Sequence, residues 1–378
     1  MENKLLQKGV EIELYAGTES GEVLPLSTNL KETFSNFSQE PDQRSFEYIT
    51  NPNRSYYELY KEIIEPRIKV RNYLKSLNSL TLIPGSTIAL PFSKEFYFSK
   101  PGDPYSELIL NTYQTKVITT SVHINIGIDN YNDLFKGLSI LRLYSPLFLA
   151  LSASSCFHDG KVTGYKSFRW HSFPKTPKFV PFFTDHNDFI QWSHKQIETK
   201  TMFNERHLWT SVRPNGPNRP DTLNRIELRI CDFVADIKKL LSIVALIECI
   251  LQEYLLNKKQ PKVLGTDLNK LVDIMDKQEE IAAKDGLNAN LWNWKTDSED
   301  KAYNIIESLY KEFCNTARDI NILEYLNPVL EILKDGNEAT QFMEMYNRTG
   351  SIEKTMQHFI NQFTIMDLKS ADMLKINK

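Results

Sequence analysis

The stretch Gly9-Val-Glu-Ile-Glu-Leu-Tyr15 spaces Glu11 and Glu13 two residues apart. In an extended chain that puts both carboxylates on one face, with Val10, Ile12 and Leu14 on the other. Ser121-Val-His-Ile-Asn-Ile-Gly127 repeats the pattern with His123 and Asn125, and Arg225-Ile-Glu-Leu-Arg-Ile230 repeats it with Glu227 and Arg229. Glu47, in Ser-Phe-Glu-Tyr-Ile, adds a fourth strand of this kind. One such strand is explained by being half-buried with its polar face in water. Four together are not, because solvent-facing strand positions usually draw Thr, Lys, Ser and Gln.

The polar faces instead hold four carboxylates, an imidazole, an amide and a guanidinium. Neighbouring like charges repel unless something positive sits between them. Carboxylate-rich sets suit hard divalent cations, with substrate phosphate completing the shell, so Mg2+ is expected. Zinc competes, since His123 would suit it, but the absence of a cysteine ligand favours magnesium. Arg229 would meet phosphate oxygens with its planar fork. The expectation is a polar sheet face that holds Mg2+ and a nucleoside triphosphate. It does so without a P-loop, since the sequence has neither GxxxxGK[ST] nor GxGxxG.

Alternation predicts six strands to carry these residues: Val10–Ala16, Ser45–Asn51, Ser86–Pro91, Ser121–Ile128, Leu208–Arg213 and Arg225–Phe233. Helical spacing covers Tyr56–Leu77, Tyr131–Leu143 and Phe189–Lys200 between them. After Asp236 only helices are expected, over Ile237–Leu256, Thr266–Lys284, Asp297–Asp319 and Ser351–Thr364. Thr296 and Glu299 suit a capping box for the third of these, and Asn288–Lys295 reads as a loop that packs Trp292 and Trp294. The fold class is α+β: a catalytic body over residues 1–235 with a helical region, 236–378, packed on it.

The 378 residues carry 45 Lys+Arg against 48 Asp+Glu, a formal net charge of −3 that argues against a nucleic-acid or anionic-membrane partner. Intrinsic disorder is excluded by 21 Phe, 17 Tyr and 5 Trp. The most apolar stretch, Ile237–Leu251, contains Lys238, Lys239 and Glu248 and reads as a buried helix. No apolar leader is apparent, and Cys156, Cys231, Cys249 and Cys314 lack zinc or disulfide spacing, so reduced thiols in the cytoplasm are expected.

Several blocks, in order, resemble the glutamate–cysteine ligases, and more narrowly the cyanobacterial type within the carboxylate–amine ligase superfamily. They are Gly9-Val-Glu-Ile-Glu-Leu, Pro84-Gly-Ser-Thr, Thr120-Ser-Val-His-Ile-Asn-Ile-Gly, Leu149-Ala-Leu-Ser-Ala-Ser-Ser, Thr163-Gly-Tyr with Ser167-Phe-Arg169, His207-Leu-Trp, Ser211-Val-Arg-Pro-Asn-Gly and Arg225-Ile-Glu-Leu-Arg-Ile-Cys-Asp. The resemblance runs from about residue 9 to 250 and is loose in the helical C-terminal third.

It implies a glutamine-synthetase-like curved, mostly antiparallel six-stranded sheet. It also implies ATP-dependent joining of L-glutamate to L-cysteine through γ-glutamyl phosphate, the first step of glutathione synthesis. Carried over by position, Glu11, Glu13, Glu47, His123, Asn125 and Glu227 resemble the metal ligands, and Arg229 the phosphate-contacting arginine. Arg169 resembles the arginine that holds the glutamate α-carboxylate, and Glu40 in Gln39-Glu-Pro-Asp is a further candidate. Cys156 departs from the family, where Ser-Ser-Pro-Phe is expected in place of Ser154-Ser-Cys-Phe157. Other readings of the same residues are a ligase joining glutamate to a different amine, a non-catalytic nucleotide-binding relative and, more remotely, a Mg2+-dependent hydrolase.

Overall fold

The computed structural model describes residues 5–77, 80–256 and 268–376. Seven antiparallel strands form the central sheet: β1 (Lys8–Gly17), β2 (Phe37–Gln39), β3 (Ser45–Ile49), β4 (Thr81–Ile83), β5 (Val122–Gly127), β6 (Val212–Asn215) and β7 (Arg225–Leu228). Their order is β2-β3-β1-β5-β7-β6, with β4 paired to the far end of β1. The expected mixed architecture, an antiparallel sheet with flanking helices and a helical C-terminal region, is present.

One face of the sheet is apolar. Val10, Ile12, Leu14, Ile124, Ile226 and Leu228 are all buried and share one hydrophobic cluster with the helices beneath. Two of those helices are α2 (Tyr131–Ser152) and α3 (Ile237–Leu251), which follow α1 (Tyr56–Ser76) along the chain. In α2, Gly137 permits close approach to the sheet, since a Cβ there would lie 2.9 Å from Ile226 Cδ1. Pro146 removes a backbone donor inside α2, and the Ser145 hydroxyl bonds the freed carbonyl of Arg142 at 2.9 Å. Among the described residues, α2 is the one helix long and apolar enough to cross a membrane, and 89% of its most apolar window is buried in the protein. It is a core helix.

The helices that follow residue 236 are tied into this core by buried charge. Lys8 at the start of β1 meets Glu248 of α3 at 2.8 Å, with both side chains fully buried. The long C-terminal helix, Ile352–Met373, docks on α1 through Asp367, which lies 2.7 Å from Arg71 Nε and 3.4 Å from Arg67 Nη1. Asp367→Ala leaves two buried guanidinium groups without their carboxylate. The expected result is a loss of about 3–5 kcal/mol in denaturant-unfolding free energy.

Several expectations are corrected. Ser86–Pro91 is not a strand: Gly85 has φ +103° and Pro91 has no N–H to donate, and only Thr87 bridges to Thr119. The sheet instead takes β4, just upstream, and the short β2, giving seven strands rather than six. The strand expected at Leu208–Arg213 begins at Val212, and that expected at Arg225–Phe233 ends at Leu228.

In the C-terminal third, Asn290–Asn293 and Ser298–Lys301 form a hairpin, where only helices and a loop were expected. Glu299 pairs with Trp292 in that hairpin, so the expected capping box does not form, and the following helix starts at Ala302. The helix expected over Thr266–Lys284 spans Leu268–Asp285, with Thr266 and Asp267 outside the described residues.

Candidate active site

Strand register builds the site. Glu13 lies opposite Glu47, Glu11 opposite His123, Asn125 opposite Glu227, and Glu227 opposite Arg213. A band of polar side chains therefore crosses five strands on the face away from the core, as alternation predicted. Glu40 joins it from the residue after β2.

The band holds two trios whose ligand atoms all lie within 4.8 Å of one another: Glu13, Glu40 and Glu47, and Glu11, His123 and Glu227. They differ in charge balance. Among the described residues, no lysine or arginine hydrogen-bonds a carboxylate of the first trio. Burial, together with Glu40, Glu11 and Glu13, pushes the Glu47 carboxyl well above the ordinary carboxylate value. Burial raises Glu13 and Glu40 too.

The second trio is already compensated. Arg213 reaches Glu227 with Nε at 2.7 Å and Nη2 at 3.0 Å, Asn215 Nδ2 donates to it at 2.6 Å, and Arg229 Nη1 pairs with it as well. Burial works against ionisation of Glu227, but Arg213, Arg229 and His123 outweigh it and hold this carboxyl well below the ordinary value. For Glu11, burial and Glu227 push upward, while His123 and Arg229 prevail and lower it.

The chemistry of the donor sets fits a hard divalent cation, and the first trio fits it best. Glu13, Glu40 and Glu47 would hold such an ion, which would neutralise their mutual repulsion. In the second trio, the one Ser121 hydroxyl proton goes to Glu13 Oε2 at 2.7 Å, so Ser121 accepts from His123 Nε2–H at 3.0 Å. Nδ1 faces Glu11 Oε2 at 3.0 Å, where an ion would take the place of the proton between them. Glu227 would share an ion there only in competition with its two arginines.

Asn125 occupies a supporting position. Its Nδ2 donates to Glu11 Oε1 at 3.0 Å and its Oδ1 accepts from Arg225 Nε at 3.0 Å, so it holds Glu11 in place and its ligand oxygen is already engaged. Arg169 is buried, with Nε on Asp232 Oδ1 at 2.8 Å and Nη2 on the carbonyls of Ile230 and Cys231 at 2.6 and 2.9 Å. One edge is thus structural, while Nη1 makes no hydrogen bond among the described residues and the residue lines the cavity above the sheet. Glu13, Glu40, His123, Arg229 and Trp209 line the same cavity.

Sequence reasoning gave no role to Ser121, Arg213, Asn215, Arg225 or Asp232. Arg213 and Asn215 alternate on β6 as the ligand candidates do elsewhere, but reading that strand as ending at Arg213 hid the pattern. Asp232 falls at the parity of the apolar positions Ile226, Leu228 and Ile230, so alternation gives it no place on the polar face. Its carboxylate takes Ser154 N, Ser155 Oγ, Ser167 Oγ and Arg169 Nε at 2.7–2.9 Å. Ser154 and Ser155 stand in the segment where Cys156 departs from the family, and they keep these bonds.

Known proteins point the same way. The profile of the glutamate-cysteine ligase family 2 (GCS2) matches residues 7–358. The chain is 25% identical over 293 residues to a Solibacter usitatus protein named "Putative glutamate--cysteine ligase 2", covering 75% of this chain and 73% of that one. A Herpetosiphon aurantiacus protein of the same name is 22% identical over 316 residues, covering 80% and 79%. Among solved structures, the glutamate–cysteine ligase of Francisella tularensis in complex with AMP superposes with a TM-score of 0.71 at 13% identity, over 97% of this chain and 92% of that one. The bifunctional glutathione synthetase of Pasteurella multocida gives 0.74 at 15% identity, over 98% of this chain but only 53% of its own length. The chain therefore spans about half of that enzyme.

The family match over residues 7–358, on this fold, makes the protein a ligase. The chain belongs to the glutamate-cysteine ligase family 2.

Proposed function

We propose that the protein is a glutamate–cysteine ligase, forming γ-glutamylcysteine from L-glutamate, L-cysteine and ATP. The observation that carries this reading is the trio Glu13–Glu40–Glu47, to which no lysine or arginine hydrogen-bonds among the described residues, beside a cavity lined by Arg229 and Arg169. A carboxylate does not condense with an amine in water until its oxygen becomes a good leaving group. Transfer of the ATP γ-phosphoryl group to the glutamate side chain provides that, and it asks the protein for positioning and charge neutralisation.

Mg2+ held by Glu13, Glu40 and Glu47, with Glu11 and His123 as further ligands, would supply that neutralisation on the triphosphate. Arg229 bonds the moving phosphoryl oxygens, and Arg213 keeps Glu227 fixed so that Arg229 stays aimed. Arg169, anchored by Asp232, gives its remaining Nη1 to the glutamate α-carboxylate, so the γ-carboxylate is the end that meets phosphate. The face shared by Glu11, Glu13, Glu47, His123 and Glu227 belongs to residues 1–235, the proposed catalytic body, on which the helical region 236–378 packs. Four free cysteines suit a reducing, cytoplasmic setting.

Arg169→Lys keeps the charge and loses the fork. Glutamate KM is expected to rise about ten- to a hundredfold, with ATP KM little changed. Equal effects on both would assign Arg169 a purely structural role. The acyl-phosphate step is tested with glutamate labelled by heavy oxygen in its γ-carboxylate. One labelled oxygen is expected in each released phosphate, and unlabelled phosphate would rule out γ-glutamyl phosphate.

A further inference from the structure

Among the described residues, the helix Leu268–Asp285 sends no side chain into the cavity above the sheet, yet it grips the segment that does. Arg169, Trp170 and Phe173 all line that cavity and follow one another along the chain. Just before them, the Ala283 carbonyl of the helix accepts from the Lys166 N–H at 2.9 Å and the Ser167 N–H at 2.8 Å. A carbonyl oxygen has two lone pairs, so both bonds are made at once. Just after them, Lys175 Nζ lies 3.0 Å from Glu279 Oε2 and 3.1 Å from Asp276 Oδ1 on the same helix.

Glu279 is the buried half of the second grip, whereas Asp276 is exposed. Burial works against ionisation of Glu279, but Lys175, Ser211 and Ser145 outweigh it and hold this carboxyl below its ordinary value. Lys175 Nζ also stands 5.4 Å from the centroid of the Trp170 ring, and Arg169 Cζ stands 5.6 Å from the same centroid. Cations at that range are attracted to the face of an indole. The next residue, Thr176, exchanges two backbone hydrogen bonds with Trp209, which lines the cavity as well. Asp232 thus fixes one edge of the Arg169 guanidinium, while the helix fixes the backbone that carries it.

We propose that Glu279 is a positioning residue for glutamate binding. Through Lys175 it holds Trp170, Phe173 and the backbone of Arg169 in place at the cavity. Neither Glu279 nor Lys175 lines the cavity, so both act through the residues that do. A helix of the region 236–378 thereby takes part in substrate binding. This rests on the reading of Arg169 as the arginine that binds glutamate, and extends it.

The test combines steady-state kinetics with thermal unfolding for Lys175→Met, Glu279→Gln and the double variant. Lys175→Met strands the Glu279 carboxylate, and Glu279→Gln leaves Lys175 with Asp276 alone. Both single variants should unfold at lower temperature, with glutamate KM raised about tenfold and ATP KM unchanged. The double variant removes both charges of the pair and should recover most of the lost thermal stability. Its glutamate KM should nevertheless stay about tenfold high, because the tie is still missing. A double variant that regains the native glutamate KM together with its stability would assign the pair a structural role and overturn the inference. An equal rise in the KM of glutamate and ATP would overturn it too. Either result leaves the ligase reading standing, whereas native protein without glutamate-dependent ADP release removes both.

Discussion

Replacing Glu47 by glutamine is expected to cut glutamate-dependent ADP release by about a hundred- to a thousandfold, while making the metal-free protein harder to unfold. Both effects come from one fact: the trio Glu13–Glu40–Glu47 is a group of like charges, Glu13 buried and the other two half-buried, with no lysine or arginine hydrogen-bonded to it among the described residues. The Glu47→Gln side chain would keep the shape and remove a ligand charge, so binding of Mg2+ and of the triphosphate suffers. It would also remove repulsion that the fold otherwise bears, a trade of stability against function common at active sites.

The pH dependence follows with a definite sign. A carboxyl raised in the folded state binds more protons folded than unfolded across the window above its ordinary value of 4.5, so stability falls as pH rises there. Glu11 and Glu227 are lowered, and their contribution is lost as pH falls below that value. The contribution of these carboxyls to metal-free stability should therefore be largest near the ordinary carboxylate value and fall toward neutrality. Added Mg2+ should reverse the neutral-side loss in the native protein and much less in Glu47→Gln. Thermal unfolding across pH, with and without Mg2+, reads all of this. A native protein indifferent to Mg2+ at neutral pH would refute the cation-site assignment.

Asp232→Ala is expected to be as damaging as the loss of Asp367, at about 3–5 kcal/mol of stability. Its carboxylate accepts from two serine hydroxyls, a backbone N–H and Arg169 Nε, and it is fully buried. Removing it strands the Arg169 guanidinium and unties the segments around Ser154 and Ser167 from the end of β7. Asp232→Asn, which keeps the size, should fold better yet still misplace Arg169, because an amide cannot accept at both oxygen positions. Glutamate KM should rise in Asp232→Asn while ATP KM holds. A wild-type glutamate KM there would show that Arg169 is held well enough by the carbonyls of Ile230 and Cys231 alone.

The band of ligand candidates was legible because period-2 alternation places side chains on faces without any knowledge of strand order. Glu11 and Glu13, His123 and Asn125, and Glu227 and Arg229 each mark a face, and the register then aligns those faces. What alternation does not carry is which polar group partners which. Asn125 shares the face as predicted, yet both ends of its amide are engaged by Glu11 and Arg225, a fact of three-dimensional packing. The split into one uncompensated and one arginine-compensated trio was hidden for the same reason, since Arg213 comes from a strand whose bounds were misread.

The strand errors have physical causes too. Three-residue strands such as Phe37–Gln39 and Thr81–Ile83 are too short to show a period. Ser86–Pro91 alternates in composition, but a positive-φ glycine before it and a proline at its end keep it out of the ladder. In the C-terminal third, the hairpin around Trp292 lies between two amphipathic helices, and its four-residue strands give no period of their own.

The most direct test of the central claim is product analysis with L-glutamate, L-cysteine, ATP and Mg2+. The expected products are γ-glutamylcysteine, ADP and phosphate in equimolar amounts, with each requiring all three substrates. AMP and pyrophosphate as the nucleotide products, or ADP formed without any glutamate-derived amide, would contradict it.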